Sequence, residues 1–271
     1  MFKSLFGKKE IPRPAAPEGE VVYAIGDVHG RADLLVILLE AILEEARQHD
    51  RPTTVIGLGD YVDRGPGSRE VLELLVGLTH AEGPKLVLLR GNHEDTLLRF
   101  LENPGLGATW CDYGGRPTLA SYGVDAPETA DDAEGWEAAR ANFAEALPAP
   151  HLDLLKSMAL TYEAGDYFFC HAGARPGVAL AEQTEADLLW IRNSFLDDKR
   201  RFDKVVVHGH SVGEEVQADH RRIGVDTGAY ATSALTAVKL EGKGQFLLQT
   251  IRTRDNSFRV VKKVLERPAE R

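Results

Sequence analysis

Residues 22–31, "VYAIGDVHGR", decide how this chain is read. Val21 to Ile25 form a short, apolar, β-branched run, which predicts a buried strand. The run breaks off into Gly26, Asp27, Val28, His29 and Gly30. An acid and an imidazole, fenced by glycines, therefore stand where the strand leaves the core. A lone Asp before a turn is ordinary. The same kind of ending recurs at four later strands.

Outward from that stretch, residues 31–48, "RADLLVILLEAILEEARQ", place Leu34, Leu35, Leu38, Leu39, Ile42 and Leu43 at helical spacing. Pro52 opens a second strand in "TTVIGLGDYVDRG". Residues 68–79 predict another amphipathic helix with Ser68 as N-cap, and "KLVLLRGNHE" predicts a third strand. The order β-α-β-α-β implies an α/β fold with a mainly parallel sheet covered by helices. Residues 96 to about 165 read as a helical insertion, with helices at 96–103, 134–146 and 151–158 broken by "NPGLG", "YGGRP" and "PAP". Strands resume in "DYFFCHAG", "KVVVHGH", "RRIGVDTGA", "ALTAVKLE" and "GQFLLQTI"; the last two, joined by "GKG", predict a hairpin. Residues 1–19, basic and then proline-rich, read as a flexible tail before a single domain over 20–265.

Composition narrows the function. The chain has 271 residues, 43% hydrophobic and 27% charged, as expected of an ordinary globular domain. A net charge of −10 argues against nucleic-acid binding, which needs a basic face. It leaves phosphorylated substrates open, because bound cations reverse the local field. Cys111 and Cys170 stand far apart, so no disulfide framework is expected and a cytoplasmic setting fits. No apolar run approaches the roughly 18 residues of a membrane span.

The five strand ends carry Asp27 and His29; Asp60, Asp63 and Arg64; Arg90, Asn92, His93 and Glu94; His171; and His208 with His210. In open α/β sheets, ligands bind beyond the carboxyl ends of strands, so these groups should share one crevice. Carboxylate, imidazole and amide oxygen without thiolate suit hard or borderline divalent cations. Two aspartates, three histidines and an asparagine exceed the needs of one tetrahedral ion. They suit two ions sharing a carboxylate, about 3.5–4 Å apart. Singly, His171 would read as a core histidine, Asn92 as a turn residue and Arg64 as a solvated charge. Their joint placement at successive strand ends favours the metal site.

"GDVHG", "GDYVDRG" and "RGNHE", followed by "HAG" and "HGH", resemble the signature blocks of the phosphoprotein phosphatase family of metallophosphoesterases, in its bacterial and phage branch. The resemblance covers about residues 21–240. It implies a central β-sandwich flanked by helices. It also implies that Asp27 and His29 bind a first metal, Asp60 bridges, and Asn92, His171 and His210 bind a second. His208 is the reserve for His210. Mn²⁺ is the activator implied, with Fe or Zn as alternatives. His93 would be the general acid, held by Asp63, and Arg64 would grip phosphate. Arg192 in "LLWIRN" matches a second phosphate arginine of the family; Arg175 is a weaker candidate that could equally pair with a surface acid. Asp226, Thr227 and Gly228 are assigned to a turn on the site floor. Trp110, Gly114 and Gly115 either pack the insertion or wall the substrate.

The resemblance implies a hydrolase using a metal-held water as nucleophile. The expected substrate is a phosphorylated protein side chain, Ser/Thr or both Ser/Thr and Tyr. The alternative is symmetrical hydrolysis of a dinucleoside tetraphosphate, or hydrolysis of another small phosphoester. "GDYVDRG" and "GNHE", with Asp63 and Glu94, favour the protein phosphatase. A non-catalytic scaffold is disfavoured because the full ligand set is present.

Overall fold

The computed structural model describes residues 13–266. The apolar run Val21–Ile25 is strand β1, buried along its length. Strand alternation sends Val21, Tyr23 and Ile25 to one face and Val22 and Ala24 to the other. Both faces are apolar, so both need cover. Helix α1 (Ala32–Arg47) covers the first face with Leu34, Leu35, Leu38 and Ile42. Strand β2 (Thr53–Gly57) runs parallel to β1, helix α2 (Ser68–Thr79) packs beside α1, and β3 (Lys85–Leu88) runs parallel to β2.

Five helices follow: α3 (Asn92–Glu102), α4 (Gly107–Asp112), α5 (Gly115–Ser121), α6 (Ala133–Ala146) and α7 (Ala149–Ser157). They close round Phe100, Trp110, Trp136 and Phe143, which join the core under α1 and α2. Next come β4 (Thr161–Ala164), β5 (Tyr167–Cys170), α8 (Glu185–Trp190), α9 (Asn193–Leu196), β6 (Val205–His208), β7 (Gln217–Ala218) and β8 (Arg222–Gly224). The chain ends with α10 (Ala229–Thr232), β9 (Thr236–Glu241), β10 (Gly244–Arg252) and β11 (Phe258–Val264).

These strands form two sheets, β11-β10-β9-β1-β2-β3 and β4-β5-β6-β8-β7. Val22, Ala24, Ile56, Val238 and Leu240 of the first pack against Tyr167, Phe169, Val205, Val207 and Ile223 of the second. That layer is the expected β-sandwich. The outer face of the second sheet, Phe168, Cys170 and Val206, is covered by Leu188, Ile191 and Phe195.

Three expectations change. The first sheet is mixed: β1, β2 and β3 are parallel, but β9 pairs antiparallel with β1, and β10 and β11 continue antiparallel. Strands β4, β7 and β11 lie at sheet edges, where half-exposed residues blur the apolar pattern that marks buried strands. The helical stretch ends at Ser157, and Thr161–Ala164 pairs with β5 as strand. Of the stretch read as a tail, residues 1–12 lie outside the described residues. Within them, Ala16 is buried with its N–H on the Gly242 carbonyl, and Ala15 and Asp166 exchange two hydrogen bonds.

Candidate metal centre

The carboxyl ends of β1, β2, β5 and β6 open on one crevice. Asp60 is its centre. His29 Nε2 lies 3.6 Å from Asp60 Oδ2, and His171 Nε2 lies 3.4 Å from Asp60 Oδ1. Two groups of ligand-type atoms share Asp60: one with His29 and His93, the other with His171 and His210. Asn92 Oδ1 completes the second group, 2.9 Å from His171 Nε2 and 2.8 Å from His210 Nδ1. Asp27 reaches the crevice from β1 and accepts the His210 backbone N–H at 3.1 and 3.0 Å.

The donor set fits divalent cations. His29 Nδ1 and His171 Nδ1 each lie 2.9 Å from a backbone carbonyl, of Val62 and Leu58. Those bonds place the ring proton on Nδ1 and turn the Nε2 lone pair toward Asp60. Asp60 Oδ1, Asn92 Oδ1, His171 Nε2 and His210 Nδ1 crowd together, and a cation would satisfy all four as acceptors. Asp60 raises the His171 pKa against the cost of burial, so a proton and a cation compete for that nitrogen. Against the cost of burial, His171 and His93 hold Asp60 well below the usual carboxylate range. Burial, then the neighbouring His171, push His210 down to about 2. Burial, then Asp226 and Asp60, push Asp27 well above the usual range.

Backbone geometry is as specific as the side chains. His29, Asp60, Asp63, Arg64 and His210 all adopt left-handed φ, at 46°, 54°, 72°, 67° and 62°. Such values are uncommon for residues with a Cβ and concentrate at functional sites. Two glycines let the strands approach. A Cβ on Gly91 would sit 2.1 Å from Asp60 Oδ1, and one on Gly209 would sit 2.0 Å from Asp27 Oδ1.

Beside this cluster, His93 Nδ1 lies 2.6 Å from Asp63 Oδ2. Burial lowers the His93 pKa, but Asp60 and Asp63 more than offset it, so the imidazole is raised above its ordinary value. Asp63 is caged: Thr118 donates to Oδ1 at 2.6 Å and Trp110 Nε1 to Oδ2 at 2.8 Å. Arg64, half-buried, points NH1 at His29 Nε2 (2.8 Å) and NH2 at His93 Nε2 (3.2 Å). Its guanidinium lies 4.8 Å from the centre of the Tyr230 ring.

Several expected residues fall elsewhere. Asn92, His93 and Glu94 stand on the first turn of α3, not on a strand end. His208 faces away from the cluster; its ring meets Arg222 at 3.2 Å and the Phe195 edge at 5.1 Å. Arg175 pairs with Asp187 through two bonds of 2.8 and 2.5 Å. Arg192 is exposed at the rim, where its charge helps depress the His210 pKa. Trp110 is fully buried, so it packs and holds Asp63 rather than walling a substrate. Asp226 takes the Gly228 N–H at 2.9 Å in the expected turn.

Glu94 has a role that sequence reasoning missed. Its Oε1 accepts from Tyr61 N (2.7 Å) and Val62 N (3.1 Å), and its Oε2 from Asp60 N (2.8 Å) and Gly91 N (2.9 Å). It thereby fixes the turn that carries Asp60. The signal was present: a Glu three residues after a glycine, ahead of an apolar helical run, marks a helix start.

Comparison with known proteins agrees with this geometry. The chain is 26% identical over 229 residues to serine/threonine-protein phosphatase 2 of Escherichia coli K12, covering 81% of this chain and 93% of that one. It is 22% identical over 235 residues to the asymmetrical bis(5'-nucleosyl)-tetraphosphatase PrpE of Anoxybacillus flavithermus, covering 79% and 88%. The fold resembles that of a cold-active protein-tyrosine phosphatase of a psychrophilic Shewanella, with a TM-score of 0.53 and 17% identity over 92% of this chain and 82% of that one. Residues 21–241 match the calcineurin-like phosphoesterase model, so the strand-end signature blocks and the sandwich that gathers them have one explanation: the chain belongs to the calcineurin-like phosphoesterase family.

Proposed function

We propose that this hydrolase is a dimetal-dependent phosphomonoesterase acting on phosphorylated protein side chains, serine and threonine among them. Asp27, His29 and Asp60 would hold one cation, and Asp60, Asn92, His171 and His210 the other, with Mn²⁺ the preferred ion. When bound, the cations supply Lewis-acid charge and make water nucleophilic near neutral pH. Arg64 supplies a guanidinium for the phosphoryl oxygens, beside the cluster. Arg192 is placed to add a second positive charge from the rim.

The observation that carries the reading is the buried Asp63–His93 contact of 2.6 Å. Phosphoserine leaves as an alkoxide, a strong base that requires a proton. His93 donates that proton, and Asp63 orients the imidazole and keeps it protonated. A nucleotide leaving group departs as a phosphate anion and gains far less from such a pair. Similarity to the E. coli serine/threonine phosphatase supports this choice. Similarity to the Anoxybacillus flavithermus tetraphosphatase supports a second reading, hydrolysis of dinucleoside tetraphosphates.

Parallel rate measurements with Mn²⁺ on phosphopeptides and diadenosine tetraphosphate decide between them. The first reading expects kcat/KM to favour phosphopeptides, with Asp63→Ala reducing phosphoserine hydrolysis far more than nucleotide hydrolysis. A tenfold preference for the nucleotide, worth about 1.4 kcal/mol, selects the second. The cytoplasm is the setting proposed, as Cys111 and Cys170 form no disulfide. Residues 20–265 are proposed as one domain.

A further inference from the structure

His151 on α7 is 1% exposed, and both of its ring nitrogens have partners. Nδ1 lies 2.8 Å from the Tyr122 hydroxyl, and Nε2 lies 3.0 Å from Glu73 Oε2. A carboxylate only accepts, so Nε2 carries a ring proton and donates it to Glu73. Burial pushes the Tyr122 phenol well up, so it stays a hydroxyl and donates to the Nδ1 lone pair. One buried ring therefore ties together two other helices, α2 through Glu73 and α5 through Tyr122.

Those two helices meet again at Asp63. Glu73 stands little more than a turn after Ser68 on α2, and Tyr122 caps α5 one turn after Thr118. Ser68 Oγ and Thr118 Oγ1 lie 2.9 Å apart, and the Asp63 N–H donates to both, at 3.0 and 2.9 Å. Thr118 also donates to Asp63 Oδ1 at 2.6 Å. Two rungs thus join α2 to α5: Ser68–Thr118 beside Asp63, and Glu73–His151–Tyr122 further along both helices. Helix α5 has only seven residues, too few to hold a position by itself. Asp63 needs the support, because its backbone is left-handed, at φ 72°, and such residues persist only where their surroundings over-determine them.

We propose that His151 and Tyr122 are positioning residues for the proton-donating pair Asp63–His93. The second rung fixes the tilt of α5, hence the Thr118 hydroxyl, and hence the Asp63 carboxylate against which the His93 imidazole is oriented. Both residues act through Thr118 and not on the reacting atoms. Without the rung, α5 pivots about Ser68–Thr118 and Asp63 loosens. The imidazole then keeps its neighbouring charge but loses its aim, so proton delivery to an alkoxide suffers and attack on phosphorus does not. The inference rests on the reading of His93 as proton donor and deepens it.

The test uses the full-length Mn²⁺-loaded enzyme with a phosphoserine peptide and p-nitrophenyl phosphate. Tyr122→Phe removes the hydroxyl and keeps the ring, which packs edge-on to Phe143 at 5.3 Å and under the Arg69 guanidinium at 5.7 Å. It is expected to lower the ratio of the phosphoserine kcat to the p-nitrophenyl phosphate kcat by about fivefold, with KM and bound Mn²⁺ unchanged. His151→Leu removes both bonds and should lower the ratio further. His151→Asn, whose amide oxygen accepts from Tyr122, should recover part of that loss. In an Asp63→Ala background, Tyr122→Phe should leave the ratio unmoved, because the group it positions is gone. If Tyr122→Phe and His151→Asn lower the melting temperature but not the ratio, while His93→Asn does shift it, the rung is structural only; the proposal is overturned and the donor reading stands. Equal losses on both substrates with release of Mn²⁺ would put the effect on the metal ligands and also overturn it. If His93→Asn itself slows both substrates equally, His93 is not the donor, and the positioning role fails with it.

Discussion

Trp110 donates its indole N–H to Asp63 Oδ2 at 2.8 Å, the same oxygen that lies 2.6 Å from His93 Nδ1. The helical segment therefore buttresses the proposed proton donor. Trp110 on α4 and Thr118 on α5 both reach Asp63, and Ser68 of α2 lies 2.9 Å from Thr118. Trp110→Phe keeps most of the buried volume and removes one bond to a carboxylate, worth about 1.5–3 kcal/mol. The expected outcome is slower phosphoserine hydrolysis with p-nitrophenyl phosphate less affected, measured as kcat on both substrates. Equal losses would mean that the variant disturbs the metal ligands instead.

His93→Asn tests the proposed proton donor itself. Phosphoserine hydrolysis should fall by about 10²–10⁴-fold, the usual contribution of a general acid. p-Nitrophenyl phosphate, whose leaving group departs without much protonation, should fall less. The check is the leaving-group dependence of kcat/KM; a flat dependence in the unmodified enzyme counts against the assignment.

Asp60 belongs to both ligand groups. Asp60→Asn should lower the affinity for both ions, read by metal analysis after dialysis. Activity of the unmodified protein should vanish with a chelator and return with Mn²⁺. Full metal content and normal turnover in the variant would remove Asp60 from the bridging position.

Glu94 supports that position without belonging to the ligand set. Burial, then the charge of Asp60, push its pKa up to about 7, yet four backbone N–H groups converge on it. Glu94→Gln turns an NH₂ toward two of those donors, costing roughly 1–3 kcal/mol for each donor left unpaired. A lower midpoint in urea denaturation and weaker Mn²⁺ binding are expected together. An unchanged midpoint would show that the turn stands without the carboxylate.

The β-α-β-α-β opening was legible because β1 and β2 are buried along their length and α1 and α2 each present one apolar stripe. The candidate ligand residues were legible because glycines punctuate the strand ends and because the signature blocks resemble those of a known family. What escaped was edge and context. "TYEA" in β4 is too short and too exposed to show a pattern, whereas "FRVVKKV" in β11 has the Phe and Val content of a strand and was legible in composition. Asn92, His93 and Glu94 looked like a strand's end because the helix that carries them begins with polar residues. Trp110 gave no sign of its partner, since its bond to Asp63 spans 47 positions. The left-handed backbone at His29, Asp60, Asp63, Arg64 and His210 is likewise imposed by tertiary contacts, not by residue type.

The proposed ligands are divided between the two layers of the sandwich. Asp60 and Asn92 follow strands of the six-stranded sheet, and His171 and His210 follow strands of the five-stranded sheet. An ion gripped by all four would be a removable cross-link between layers joined by apolar packing and by hydrogen bonds from Gln245 to Tyr167 and from His210 to Asp27. It binds the folded chain far better than the unfolded one, so saturation should raise the melting temperature, with a gain of about 2.7 kcal/mol when the free ion is at 100 times its Kd. Differential scanning calorimetry across a Mn²⁺ titration would show that rise. Hydrogen exchange should show the strand ends around His171 and His210 loosening when the clasp is withdrawn, while the interior of β1 stays protected.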